Sequence, residues 1–249
     1  MFLNLKVKLQ FIDAELYSMR FKLVICILWV VIFLNAQHVL CKDSSMRQDS
    51  KSQESNILLD KIMDKVEKKY AVAGFSACFV QESTLKAMDI TDSASGKITV
   101  KRPGKMRWEY EEPESQIIVT DGKNLWVYRP DDNQVIMGEF PSFFGDGKGA
   151  SFLSDIKLIR QKFNITIENT DSNDYYILKL LPVKKTNDLS YINLSISKKT
   201  FYVEEIVTYN LYGDETRIKL IDIKLLENPD DSIFIFNIPY GTEVLELDE

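Results

Sequence analysis

The chain is almost without histidine. Its single one, His38, lies close to the N-terminus. The chain beyond it therefore has no imidazole for Ser-His-Asp or Cys-His catalysis, and none for ligating a metal. Cysteine is scarce too. Beyond Cys41 there is only Cys78, so the domain after it has no internal disulfide to form. Cys78 sits in the apolar run "FSACFVQ" and reads as a small core residue. No basic run stands after residue 42, and the formal net charge is −6. That disfavours nucleic acid, because phosphate binding needs a concentrated basic face. After residue 56 the sequence holds no low-complexity segment and no repeat beyond hairpins.

Long apolar runs are missing as well. The longest is "LVICILWVVIFL", Leu23–Leu34, 12 residues behind Arg20 and Lys22. A membrane span needs about 20, whereas the core of a secretory signal needs about 7–15. Residues 1–41 are expected to be a signal peptide region whose true start is Met19, with cleavage after Ala36 or Cys41. A retained signal anchor is the rival reading. A lipid on Cys41 is disfavoured, since Leu40 stands where attachment needs a small residue. Removing residues 1–41 takes away four basic and two acidic residues, leaving 27 basic against 35 acidic and a net charge of −8.

What is present is a globular composition, 45% hydrophobic and 27% charged, which argues against general disorder. Residues 42–54 are polar and rich in Ser and Gln, and are expected to be a disordered leader. Residues 55–249 are expected to be one domain. It opens with a helix: Ile57, Leu58, Ile62, Met63, Val66 and Tyr70 recur at steps of three and four, with Ser55 as the N-cap.

From Gly74 the period changes to two. Phe75, Ala77 and Phe79 alternate with Ser76, Cys78 and Val80, and a weaker strand comes next from Leu85 to Thr91. "DSASG" reads as a turn. "SQIIVTD", "NLWVYRP" and "QVIMGEF" are separated by "DGK" and "PDDN", compositions of tight turns. After Phe140 alternation stops. The glycines of "GDGKGA" suggest a mobile loop, and Ser151–Gln161 a short amphipathic helix. Strands then resume, and "SIFIFNIPYGTEVLEL" closes the chain. About eleven consecutive antiparallel strands must close, stack or be covered.

Within this meander "VKRPGKMRWEYEEP" places Met106, Trp108 and Tyr110 on one side and Arg107, Glu109 and Glu111 on the other. The aromatics are either plain core or the lining of an apolar site. Ile117, Val119, Trp126 and Tyr128 pose the same alternative, and their facing is not fixed by sequence. The four carboxylates of "EYEEPE" beside a turn read as a solvated hairpin end, not as the facing pair a glycosidase needs. "GDGKGA" lacks the Ser or Thr of a phosphate loop.

The segment from Lys101 to Gln134 resembles the signature of the periplasmic outer-membrane lipoprotein carrier family, the LolA type. The shared features, in order, are the Lys101-Arg102-Pro103 step, Trp108 six residues after the arginine, Pro113-Glu114, an apolar run, Asp121-Gly122-Lys123, Trp126, and Tyr128-x-Pro130. The close "FIFNIPYGTEV" is similar too, and the looser resemblance runs from about Leu58 to Leu247. It implies a mainly β fold with helices (α+β), a single-domain incomplete antiparallel β-barrel with a helical lid. It implies a periplasmic carrier, or chaperone, that takes lipoprotein acyl chains into an apolar cavity. An inner-membrane ABC lipoprotein-releasing transporter would load it and an outer-membrane acceptor lipoprotein would unload it. Arg102 would latch the lid. Met106, Trp108, Tyr110, Ile117, Val119, Trp126, Tyr128, Phe140 and Phe152 would line the cavity. No catalytic residue, metal or cofactor is expected, and the chain is expected to act as a monomer. The repeated glycines of "GDGKGA" and Met106, where the family often has Phe, depart from the pattern. A related module for another amphiphile, and a carboxylate hydrolase, are the alternatives.

Overall fold

The computed structural model describes residues 53–140, 153, 156–168, 172–185 and 187–246. The signal peptide expected over 1–41, the loop after Phe140, and Phe152 lie outside the described residues. Two compact units divide the chain, Met1–Ile57 and Leu58–Glu249. Of the first, only 53–57 are described, and they are helical. All the described strands lie in the second.

The first helix, α1, occupies 53–69. Ser55, expected as its cap, lies inside it. Of the leader expected over 42–54, residues 53 and 54 are helical and the rest lies outside the described residues. Ile62, Met63, Val66 and Tyr70 are buried at the helical repeat, whereas Leu58 is exposed.

Among the described residues twelve strands come after it: β1 (Gly74–Leu85), β2 (Ile90–Lys101), β3 (Lys105–Glu112), β4 (Gln116–Asp121), β5 (Asn124–Arg129), β6 (Gln134–Glu139), β7 (Phe163–Glu168), β8 (Tyr175–Pro182), β9 (Tyr191–Ser197), β10 (Val203–Tyr209), β11 (Glu215–Leu226) and β12 (Glu243–Glu246). A short helix, α2 (Leu158–Lys162), precedes β7, and a 3-10 turn, Asp231–Phe234, comes after β11. The strands form one sheet in the order β12-β6-β5-β4-β3-β2-β1-β11-β10-β9-β8-β7. The two edge strands do not pair with each other, so the sheet is open, as an incomplete barrel requires. One strand departs from the antiparallel expectation: β12 runs parallel to β6.

Two local readings are corrected. "DSASG" is not a turn but the middle of β2. The reversal occurs at Lys86–Asp89, and β1 and β2 pair along their whole lengths. Small residues are used there for close approach. Gly96 stands between Phe79 and Tyr110 in register, and a Cβ on it would lie 1.9 Å from the Glu109 carbonyl oxygen. Its absence lets the two rings meet edge to face at 4.9 Å. Cys78 is not core: alternation with Ala77 and Phe79 turns it outward, and it is exposed. The closing segment forms the 3-10 turn Asp231–Phe234 and then β12.

The turn at Asp121-Gly122-Lys123 behaves as its composition predicts. Gly122 has φ +97°, and the Asp121 carboxylate accepts from the amides of Lys123 and Asn124 at 2.8 and 2.7 Å. Those bonds hold its carboxyl below the usual range against the opposing effect of burial, which is the largest single influence on it.

Candidate functional site

Cross-strand partners share a face of a sheet, so the register assigns every side chain. Phe75, Ala77, Phe79, Ile98, Val100, Met106 and Trp108 lie on one face of β1–β3. The same face continues through Leu220 on β11, Ile206 on β10, Leu194 on β9 and Leu178 on β8. All are buried in a single apolar cluster. The cluster also contains Ile62, Met63, Val66 and Tyr70 of α1, and Leu153, Ile156 and Ile159 from the segment ending in α2. The apolar face is thus roofed by two helical pieces whose greasy sides press onto it. Of the helix expected over Ser151–Gln161, only its end is α-helical among the described residues, and Leu153 belongs to a 3-10 turn.

Two arginines fasten this roof. Arg102, in the turn after β2, donates from Nη1 to the Val72 carbonyl and from Nη2 to the Leu153 carbonyl, each at 3.1 Å. It ties the exit of α1 to the covering segment. Its guanidinium also lies over the rings of Tyr70 and Phe75, 5.2 and 5.7 Å from their centroids. Arg160 on α2 reaches Asp60, Asp64 and Glu67 on α1 at 2.9, 2.6 and 2.6 Å. Burial works against its charge, but these carboxylates outweigh it and push its pKa up. The Tyr70 hydroxyl accepts from the Val203 amide at 3.1 Å, and burial pushes its pKa up while Arg102 opposes.

The residues singled out from sequence fall into two groups. Met106 and Trp108 are buried on the roofed face, and Tyr110 lies beside them, half-buried. Phe140 packs against this cluster and against a small neighbouring one made by Leu125 and Val127. Ile117, Val119, Trp126 and Tyr128 lie on the opposite face. There Phe236 covers Trp126 and Tyr128, with ring centroids 6.4 and 5.5 Å away. The reason is parity. Trp108 pairs with Ile118, not Ile117, so the odd-numbered residues of β4 turn away from the roof. Phe79, Tyr70 and Arg160 were not singled out. The acidic stripe Asp60, Asp64, Glu67, spaced as one helix face, was the readable sign of a basic partner.

At one end of the roofed face lies a cleft of about 440 Å³, bordered by Gln81, Tyr110, Gln116, Arg129 and the turns after β3 and β5. The Tyr110 hydroxyl donates to Gln81 Oε1 at 3.1 Å, and burial pushes its pKa up to about 12. A larger cleft, about 610 Å³, opens on the outer side of β9–β11, among Ser195, Glu205 and Lys219. Tyr202 and Leu220 also border it.

The model of the outer membrane lipoprotein carrier protein LolA family matches residues 70–237. The chain belongs to this family. Among its relatives, outer-membrane lipoprotein carrier proteins from Azotobacter vinelandii and Pseudomonas aeruginosa are 29% and 28% identical over 152 residues, 61% of this chain and 72% and 71% of theirs. One from Coxiella burnetii is 28% identical over 158 residues, 63% of this chain and 73% of its own. Among solved structures, a LolA superfamily protein from Nitrosomonas europaea aligns with TM-score 0.43 and 17% identity, over 71% of this chain and 97% of that one. An uncharacterized conserved protein from Thermus thermophilus aligns with TM-score 0.49 and 14% identity, over 76% and 99%.

Proposed function

We propose that this LolA-family chain is a non-catalytic periplasmic carrier that shields the acyl chains of lipoproteins and shuttles them from the inner to the outer membrane. The roofed apolar face carries this reading. A continuous greasy surface is covered by two helical pieces, and the cover is fastened by charged donors at its rim. Exposing hydrocarbon to water costs about 0.8 kcal/mol per CH₂. Displacing Leu153, Ile156 and Ile159 exposes three buried side chains, worth about 1.5–3 kcal/mol each. About six to eleven methylenes of cargo therefore offset the opening. A carrier needs such a near balance, because it must load and still release.

In this reading Arg102 is the latch and Met106, Trp108 and Tyr110 form part of the lining. Phe140 belongs to the same side. Residues 1–41 direct export. An inner-membrane ABC transporter supplies cargo, and an acceptor at the outer membrane takes it. Glu109 and Glu111 are engaged by Arg107 and Lys97, which favours a structural role for them over hydrolysis. Native mass spectrometry of the protein purified from periplasm tests the proposal. A co-purifying acylated protein is expected. A lipid without attached polypeptide would point instead to a carrier of another amphiphile.

A further inference from the structure

Trp108 is 3% exposed, and its indole Nε1 is buried with no hydrogen-bond partner among the described residues. Its ring is packed against two aromatic neighbours. Phe79 packs edge to face at 4.9 Å, and Tyr110 stacks at 6.4 Å. A buried donor left without an acceptor lowers stability, and native proteins keep few of them. The nearby Tyr110 hydroxyl, by contrast, has its acceptor in Gln81. A carrier of bare hydrocarbon has no use for an N–H at this depth, since alkyl chains accept nothing.

We propose that the Trp108 indole N–H is a recognition donor for the carbonyl oxygen at the head of an acyl chain, so that the roofed face selects long-chain esters and amides over hydrocarbon of equal length. This rests on the acyl-carrier reading of the roofed face. Tyr110 lies two residues along β3 from Trp108, on the same face, and borders the cleft lined by Gln81, Gln116 and Arg129. A chain whose carbonyl stops at Trp108 places its polar head toward that cleft and its methylenes under the roof. The group recognised is a fatty ester or amide carbonyl.

The test uses two lipids that differ in that oxygen alone, monohexadecanoylglycerol (an ester) and hexadecylglycerol (an ether). Each displaces a fluorescent fatty-acid probe from the purified mature protein and from Trp108→Phe. Wild type is expected to prefer the ester by about three- to tenfold, the worth of one net hydrogen bond. In Trp108→Phe the ratio should fall to about one. The ratio, not either affinity, is the readout. In wild type labelled with ¹⁵N, the Trp108 indole resonance should move downfield with ester and not with ether, with Trp126 as the internal control. That measurement stands even where the variant fails to fold. An ester:ether ratio near one in wild type, or a preference kept by Trp108→Phe, overturns the inference and leaves the carrier reading intact. Binding of neither lipid overturns both.

Discussion

Arg102→Leu removes two donors from the rim of the roof and the cation from above Tyr70 and Phe75. A hydrogen bond to a charged group is worth about 1.5–3 kcal/mol. Taking the lower value for each of the two bonds, 3.1 Å to Val72 and 3.1 Å to Leu153, the closed form loses about 3 kcal/mol. That raises the ratio of open to closed molecules by about two powers of ten. Two observables should change. Amide exchange at Ile159 and through α2 should quicken by about a hundredfold, while β8 and β9 keep their protection, because only the roof opens. A fluorescent fatty-acid probe should bind more tightly by up to the same factor, because the cost of selecting the open form falls. The variant should then hold cargo and deliver it poorly. Unchanged exchange in α2, or weaker probe binding with the fold intact, would refute the latch argument.

Arg160→Gln breaks three ion pairs. Arg160, Asp60 and Asp64 are at least a third exposed, so solvent screens them and the loss should total only about 1 kcal/mol. Exchange in α2 should rise with added salt in wild type and be indifferent to salt in the variant. Asp231 is held down to about 2 by its hydrogen bonds to Lys101 and then Lys105. Its folded value lies below the ordinary 3.8, so its stabilisation is intact above about pH 4 and lost as pH falls toward 2. The melting-temperature gap between wild type and Asp231→Asn should close over that window. Trp126→Ala should lower the melting temperature, by the equivalent of about 2–3 kcal/mol, without changing acyl-probe affinity. Trp108→Ala should weaken probe binding more than it lowers stability. The reverse pattern would place the binding face on the wrong side of the sheet.

The strand content and the class of fold were legible because alternation and turn chemistry agree along most of the chain. The sequence also carried the family signature in one compact segment. What escaped was parity. Along "SQIIVTD" both Ile117 and Ile118 are apolar, and alternation leaves the inward one undetermined until Trp108 fixes its partner. Cys78 was misplaced for the same reason, since every second residue in an apolar run need not face the core. "DSASG" looked like a turn because small polar residues dominate it. Its smallness serves the approach of Gly96 to the Glu109 carbonyl instead. The Arg160 clasp depends on contacts 93 to 100 residues apart, which no local pattern encodes.

The β4–β6 portion of the sheet is packed from both sides. Leu125 and Val127 bury one surface, and Phe236 rests on Trp126 and Tyr128 across the other. A wall loaded on both surfaces resists flexing, because any bend opens gaps in one layer and crowds the other. If the roofed face takes up a guest, room for it would come from displacing α1, Leu153 and α2 rather than from widening this wall. Guests of different girth would be accommodated by how far that covering travels.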